Sequence, residues 1–392
     1  MDKCRRILVV MTGLAVLAMC QGCSSYADKK LAAKMKWEKV SAEAKVRAAK
    51  DLFENGRYEE ARTTVQECLA SDPELAEGHL LMGKLHYLDG RIAAARSSMN
   101  TAIEYDEDLD QAWYWLGEIA QHNKQPDTAL ECYDKAIRLK PVNTDYIIAV
   151  VRTYAAQGRY DEALGLLEEK MALLGGDVRL KIAAGDILQK LGKTDQAISA
   201  YNGAFLLEPD NMAVAEALAY CYITDEQWTE AIRIFEKISA SVDGEKKTAC
   251  LQMLALCCMN AGEYGRAVGY YDKLSVSRRD NEEVWLQMAR AALGAGAAKR
   301  AAACATRALS LRPGWADAIA VRGCAQYLES DYDAAIKTFS RITASRKMGG
   351  FAWLMSGRCY QQLGRKDLAD IAYAKAGRLN PESRLVGLLT KK

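Results

Sequence analysis

Cys20 and Cys23 stand two residues apart in the stretch LAVLAMCQGCSSYADKK, a spacing that serves redox pairs and half-sites for metals. Either chemistry needs a fold around the sulfurs. A redox pair needs neighbouring charge to hold a thiolate, and zinc needs further ligands to close its tetrahedron. Nine more cysteines follow: Cys68, Cys132, Cys221, Cys250, Cys257, Cys258, Cys304, Cys324 and Cys359. Their number is odd, their spacing scattered, and no zinc spacing occurs, so they read as small buried apolar residues. The three histidines, His79, His86 and His122, have no cysteine or second histidine in ligand spacing around them. No HExxH, GxSxG, phosphate-binding loop or dinucleotide fingerprint is present. The expectation is no catalytic residue, no cofactor and no metal.

The residues ahead of the cysteine pair decide its role. Lys3, Arg5 and Arg6 form a basic head, and Ile7 to Met19 follow without a charge. Those 13 residues fall short of the ~20 that a permanent membrane-crossing helix needs. Basic head, short apolar core and small residues make the layout of a secretory signal. With Gly22 before Cys23 and Ser24-Ser25 after it, the segment resembles a bacterial lipoprotein signal. That resemblance implies that residues 1–22 are removed and that Cys23 is lipidated. With no aspartate at the second mature position, it also implies sorting to the periplasmic face of the outer membrane. Leu17 and Ala18 suit the same pattern for Cys20, which stays the alternative site; Met19 fits the cut poorly. An ordinary cleaved signal and an uncleaved anchor are the other readings.

The chain carries 53 basic and 51 acidic residues, and without residues 1–22 it is neutral. A neutral total offers no general attraction to nucleic acid or to an anionic membrane. Half of the residues are hydrophobic, ample for a buried core.

The elements that must position any site repeat along the chain. Residues 110–143, DQAWYWLGEIAQHNKQPDTALECYDKAIRLKPVN, place Trp113, Leu116, Gly117, Ala129, Tyr133, Ala136 and Pro141 at positions 4, 7, 8, 20, 24, 27 and 32 of a 34-residue unit. Units start at Ala42, Ala76, Asp110, Thr144, Val178, Met212, Thr248, Glu282, Ala316 and Gly350, giving ten units over 42–383. Position 20 is alanine every time, from Ala61 to Ala369, and position 8 is Gly or Ala except at Val151. Pro73, Pro141, Pro209, Pro313 and Pro381 all fall at position 32. The pattern resembles the tetratricopeptide repeat, which implies an all-α solenoid, a right-handed superhelix of about ten helical hairpins.

Within a unit, apolar residues at positions 4, 7, 8 and 11 give the first helix a buried face. Small residues at 8 and 20 let two backbones approach, and the aromatic at 24 fills the space beyond. Glycine at 15 ends the first helix, and proline at 32 stops the second. His79 and His86, at positions 4 and 11, are therefore expected to pack in the core. Residues 23–41 read as anchor and linker, with 26–41 helical in their second half, and 384–392 as a tail. Two extra residues in ASVDGEKK, 240–247, mark a bend or looser joint.

In the repeat family, positions 2, 5, 9 and 12 of the first helix line the concave surface. Carried onto this sequence, that implies Tyr114 at position 5, Arg152, Tyr220, Arg290 and Arg358 at position 9, and Tyr87 and Tyr327 at position 12 as partner-binding residues. Trp113 belongs to the repeat signature, so Tyr114 alone of the Trp113-Tyr114-Trp115 run is expected to enter the groove. The asparagine that chaperone-binding members hold at position 9 is missing, so that activity is not carried over. The resemblances together imply a non-catalytic scaffold, lipid-tethered in the bacterial cell envelope. It would bind protein partners in pilus, outer-membrane or polysaccharide-export assembly. The alternatives are an accessory subunit of an envelope hydrolase or transferase and an unprocessed cytosolic adaptor. Oligomeric state is not legible.

Overall fold

The computed structural model describes the backbone of residues 2–379 and the side chains of residues 28–379. Residues 1–22, the lipidation candidates Cys20 and Cys23, and the tail 384–392 lie outside the described side chains. Every regular element among the described residues is an α-helix.

The chain divides into two compact units, Met1–Ile187 and Leu188–Lys392. The first holds the hairpins α1 (Asp2–Glu54) with α2 (Tyr58–Ser71), α3 (Ala76–Leu88) with α4 (Ile92–Tyr105), α5 (Asp110–His122) with α6 (Pro126–Leu139), and α7 (Thr144–Ala156) with α8 (Tyr160–Leu173). Helix α9 (Val178–Lys190) runs across the boundary and α10 (Thr194–Leu207) follows it. The second unit continues with α11 (Met212–Thr224) and α12 (Trp228–Ser241), α13 (Gly244–Asn260) and α14 (Tyr264–Ser277), α15 (Glu282–Gly294) and α16 (Ala298–Leu311). It closes with α17 (Ala316–Leu328) and α18 (Tyr332–Ser340), then α19 (Gly349–Gln362) and α20 (Lys366–Leu379). From α1 to α8 and from α10 to α20, each helix packs on the next. One hairpin cannot bury both of its faces, so its neighbours must.

The sequence pattern explains where each core sits. The alanines at position 20, Ala61, Ala95, Ala129, Ala163, Ala197, Ala231, Ala267, Ala301 and Ala335, are 0 % exposed, and Ala369 is 3 %. The aromatics at position 24, Tyr133, Tyr201, Phe235, Tyr271, Phe339 and Tyr373, are all buried. Helices α2, α6, α10 and α16 end two residues before a proline, as the restricted backbone ahead of proline requires. At the N-terminal unit Lys45 is not packed but ion-paired to Glu67 at 3.2 Å.

All ten hairpin turns share one backbone conformation. The glycines at position 15 have φ between 69° and 74°. Where glycine is missing, the residue at the same position adopts it anyway: Lys124 (φ 58°), Glu226 (φ 57°) and Ser330 (φ 63°). Packing on both sides overrides the residue's own preference, which opposes the left-handed region by about 1–2 kcal/mol. Glycine there also loosens the unfolded chain. Glu226→Gly is therefore expected to stabilise the protein by a net ~0.5–1 kcal/mol, read as a raised midpoint in urea unfolding.

Three features depart from the sequence expectation. Helix α1 is one continuous 53-residue helix that takes in all of residues 26–41, not only their second half. Helix α13 begins at Gly244, four residues early: the inserted residues form an extra helical turn, entered through Gly244 at φ 63°. The joint beside it holds an open pocket of about 310 Å³ lined by Met212, Ala215, Lys237, Ile238 and Val242. Helix α18 stops after nine residues at Ser340. The chain then turns back so closely that a Cβ on Gly349 would stand 2.5 Å from the Thr343 carbonyl oxygen.

Candidate protein-binding face

On the first helices of unit Met1–Ile187 the aromatic side chains form a continuous strip. Tyr87, at the end of α3, meets Trp115 of α5 edge-on at 5.3 Å between ring centroids. Trp115 meets Tyr114 at 6.0 Å, and Tyr114 stacks on Tyr146 of α7 at 5.0 Å. His122 stands edge-on to Tyr87 at 6.2 Å. The last turn of α3 thus meets the middle of α5, and the middle of α5 meets the first turn of α7.

Charges border the strip in pairs. Arg152 Nη2 donates to Glu118 Oε1 at 2.9 Å, and the buried Tyr133 hydroxyl donates to the same oxygen at 2.7 Å. Arg179 Nη1 donates to Asp145 Oδ1 at 2.6 Å. Lys84 Nζ donates to Gln111 Oε1 at 2.8 Å and lies 5.8 Å from the Trp115 centroid. Beside Tyr114, Ile148, Ala149, Ile182 and Ala183 floor an open pocket of about 370 Å³ whose rim carries Arg152, Arg179, Asp145 and Asp186.

Burial, with Glu118 beside it, pushes the Tyr114 phenol up to about 12. Burial first, then the bond to Glu118, pushes Tyr133 up, and burial with the Asp110 bond pushes Tyr146 up. The phenols stay protonated, and those of Tyr133 and Tyr146 donate within the fold, to Glu118 and Asp110. An apolar floor, aromatic walls and paired charges at the rim can hold a side chain of a bound segment and orient its polar groups.

The structure thus brings Tyr87, Tyr114 and Arg152 together. Of the others, Tyr220 is 48 % exposed and edge-on to Phe235 at 5.8 Å. Arg290 donates to Asp317 at 3.0 Å, and Tyr327 meets Tyr332 at 5.5 Å. Arg358 lies near Tyr373, whose phenol rises through burial and is held back by that arginine. These four belong to unit Leu188–Lys392.

Trp115, which the family positions do not imply, joins Tyr114 in the strip. Position 6 carries no family signature, but its neighbour across the hairpins is Tyr87 at position 12, and two large aromatics there must meet. The histidines do not serve the deep core. The ring Nε2 of His79 sits 2.8 Å from the Pro73 carbonyl oxygen, six residues back. Trp113 Nε1 donates to the Glu107 carbonyl at 3.0 Å and Trp285 Nε1 to the Arg279 carbonyl at 2.8 Å, with the same spacing. A ring nitrogen at position 4 therefore clamps the loop that enters its own unit. His86 is half-buried, and burial lowers its pKa.

Of the nine described cysteines, seven are buried and Cys132 and Cys324 half-buried. Burial pushes the thiols of Cys257, Cys258 and Cys324 up to about 11 and that of Cys359 to about 12, so they are held as neutral packing groups. Among the described residues no three His, Cys, Asp or Glu side chains gather as a metal site would.

Models described as tetratricopeptide repeat match residues 46–108, 111–143, 147–178 and 190–246. A further model, the middle TPR-like domain of cilia and flagella-associated protein 70, matches residues 251–379. The chain belongs to the tetratricopeptide repeat (TPR) family. Among its relatives, human protein O-mannosyl-transferase TMTC1 is 27 % identical over 43 % of this chain and 19 % of its own length. Human general transcription factor 3C polypeptide 3 is 24 % identical over 50 % of this chain and 23 % of its own. The TPR chain thus spans about a fifth of the length of these curated relatives. Among solved structures, PilF of Pseudomonas aeruginosa superposes with a TM-score of 0.47 at 14 % identity, covering 53 % of this chain and 95 % of that one. A TPR protein of Parabacteroides merdae gives a TM-score of 0.39 at 16 % identity, covering 66 % of this chain and 98 % of that one.

Proposed function

We propose that this TPR chain is a non-catalytic scaffold, tethered by lipid at Cys23 in a bacterial cell envelope on the periplasmic face of the outer membrane. Its first-helix face would bind an extended or helical segment of a partner protein. Pilus, outer-membrane or polysaccharide-export assembly is the setting that the lipoprotein-like N-terminus suggests. The observation that carries the binding reading is the aromatic strip from Tyr87 through Trp115 and Tyr114 to Tyr146, bordered by Arg152. Tyr87, Trp115 and Tyr114 are half-buried, Tyr146 is buried behind them and Arg152 is exposed; aromatics and arginine beside an apolar floor are the residue types that dominate protein interfaces.

A photocrosslinker at Ile148 or Arg152 in native cells is expected to capture one defined partner. The same probe at the exposed Glu168 of α8 should not. Tyr114→Ala with Arg152→Ala should weaken that partner's binding by more than about tenfold. Equal capture from Glu168, or unchanged affinity in the double variant, would place recognition elsewhere. The tether has its own readout: palmitate labelling, lost in Cys23→Ser.

A further inference from the structure

The neutral total charge hides a strongly basic stretch. Residues 28–40 of α1 carry Lys29, Lys30, Lys34, Lys36 and Lys39 against Asp28 and Glu38. In the same stretch Leu31 is 58 %, Met35 61 %, Trp37 70 % and Val40 56 % exposed. No other stretch of this length among the described residues exposes four large apolar side chains among five lysines.

Helical spacing sorts these side chains onto two faces. Leu31, Met35 and Glu38 continue the line of Ala42, Val46 and Ala49, which are 0 %, 3 % and 0 % exposed against α2. On the opposite face lie Ala33, Trp37, Val40 and Ala44, each exposed. Lys29, Lys36 and Lys30 flank that second strip on both sides, whereas both acids lie on the first face. A narrow apolar strip containing a tryptophan, edged by lysines over residues 29–40 with Glu43 following only beyond Val40, fits the boundary between lipid headgroups and acyl chains. The indole sits at the headgroup level while the lysine stems run along the surface and the ammonium groups reach the phosphates.

We infer that the Ala33–Trp37–Val40 strip of α1 is a membrane-contact surface that lies on acidic phospholipid. Charge complementarity selects this occupant: each lysine beside an anionic surface strengthens the contact several-fold, whereas a protein partner for so narrow a strip would need acids to match. The inference shares its membrane with the proposed tether but rests on described residues of α1. It survives if Cys23 is not lipidated.

The test reads the depth of one side chain in the full-length chain, reconstituted from detergent into vesicles of brominated lipid. The apolar residues 7–19 could hold the chain on any bilayer, so attachment alone decides nothing. The readout is the part of the tryptophan emission that disappears in Trp37→Phe. With phosphatidylglycerol mixed into phosphatidylcholine, that part is expected to be quenched; with phosphatidylcholine alone it should not be. Lys29→Gln with Lys30→Gln and Lys36→Gln should raise the phosphatidylglycerol content needed for half-maximal quenching several-fold, with the helical circular-dichroism signal unchanged. Unquenched Trp37 at every lipid composition overturns the proposal, as does equal quenching without the acidic lipid. Shielding of Trp37 in lipid-free detergent that grows with protein concentration would assign the strip to a second copy of the chain and overturn it too. Loss of palmitate labelling with Trp37 still quenched would sink the tether alone.

Discussion

Alanine in place of Gly117 is expected to destabilise the protein by about 2 kcal/mol, although alanine is the better helix former. In mid-helix the exchange should gain ~1 kcal/mol from propensity alone. Here a Cβ would stand 2.4 Å from Tyr133 Cε1 and 2.6 Å from Cδ1. The ring cannot step aside, because Tyr133 is 0 % exposed and its hydroxyl is held by Glu118 at 2.7 Å. Forcing extra volume into such a site typically costs about 1–3 kcal/mol, and the rigid neighbour places Gly117 toward or beyond the upper end. Removing the obstacle should reverse the sign of the local term. In the background of Tyr133→Leu, itself destabilising, the further Gly117→Ala exchange should be neutral or favourable, a coupling above ~1 kcal/mol. The control lies in the same chain: Gly269 of α14 has nothing within 4 Å of its Cβ direction, and Gly269→Ala should stabilise by ~0.5–1 kcal/mol. Urea unfolding followed through Trp113 and Trp115, which share α5 with Gly117, reads the two Gly117 exchanges, and Trp285 of α15, which packs on α14, reads the control. Parallel shifts for Gly117→Ala and Gly269→Ala would remove close backbone approach as the reason for the small residue.

The same contact explains why so much of the fold was legible. Gly323 faces Phe339 and Gly357 faces Tyr373, with Cβ clearances of 2.6 Å and 2.5 Å, as Gly117 faces Tyr133. A small residue at 8, alanine at 20 and an aromatic at 24 are one steric solution written many times, and repetition makes it readable without a structure. What repetition cannot carry is whatever happens once. The early start of α13 depends on Gly244, and the short α18 depends on a turn around Ile342 that the pattern would have continued as helix. The left-handed turns at Lys124, Glu226 and Ser330 were hidden for a different reason: the residue types argue against the conformation that packing imposes.

The candidate site was legible by position and not by contact. Family positions implied Tyr87, Tyr114 and Arg152, and those residues do share a face. Their continuity depends on Trp115, which belongs to no signature position, and on Glu118, where Arg152 and Tyr133 converge. A ladder along one helix gives the alternation of exposed and buried residues. It does not give which side chain of the next helix fills the gap.

Lys84→Met is expected to stabilise the protein at neutral pH by about 2 kcal/mol, with the gain fading in alkali. Lys84 is half-buried beside Leu80 and Leu81 in a small pocket of about 70 Å³ that it shares with Lys50. Burial first, then the charge of Lys50, lowers its pKa to about 8 from 10.5, against the pull of Glu54, Asp110 and Glu77. The unfolded chain therefore holds this proton more tightly than the folded one. Below pH ~8 both states are protonated and the folded state bears the full penalty, roughly 3 kcal/mol at 1.36 kcal/mol per unit. Between pH ~8 and ~10.5 the folded state releases the proton first, so stability rises with pH; above that window the penalty is gone. Methionine removes the charge and keeps the length, at the loss of about 1 kcal/mol for the hydrogen bond to Gln111. Unfolding in urea at pH 7 and pH 10 separates this from simple repacking, which would give the same gain at both. A gain at pH 7 that vanishes at pH 10 means that the fold holds a cation beside Trp115 at a cost to its own stability. A burden of that kind is expected where a charge serves recognition. No gain at pH 7 would show that water or Gln111 already compensates the ammonium, and that Lys84 is an ordinary surface lysine.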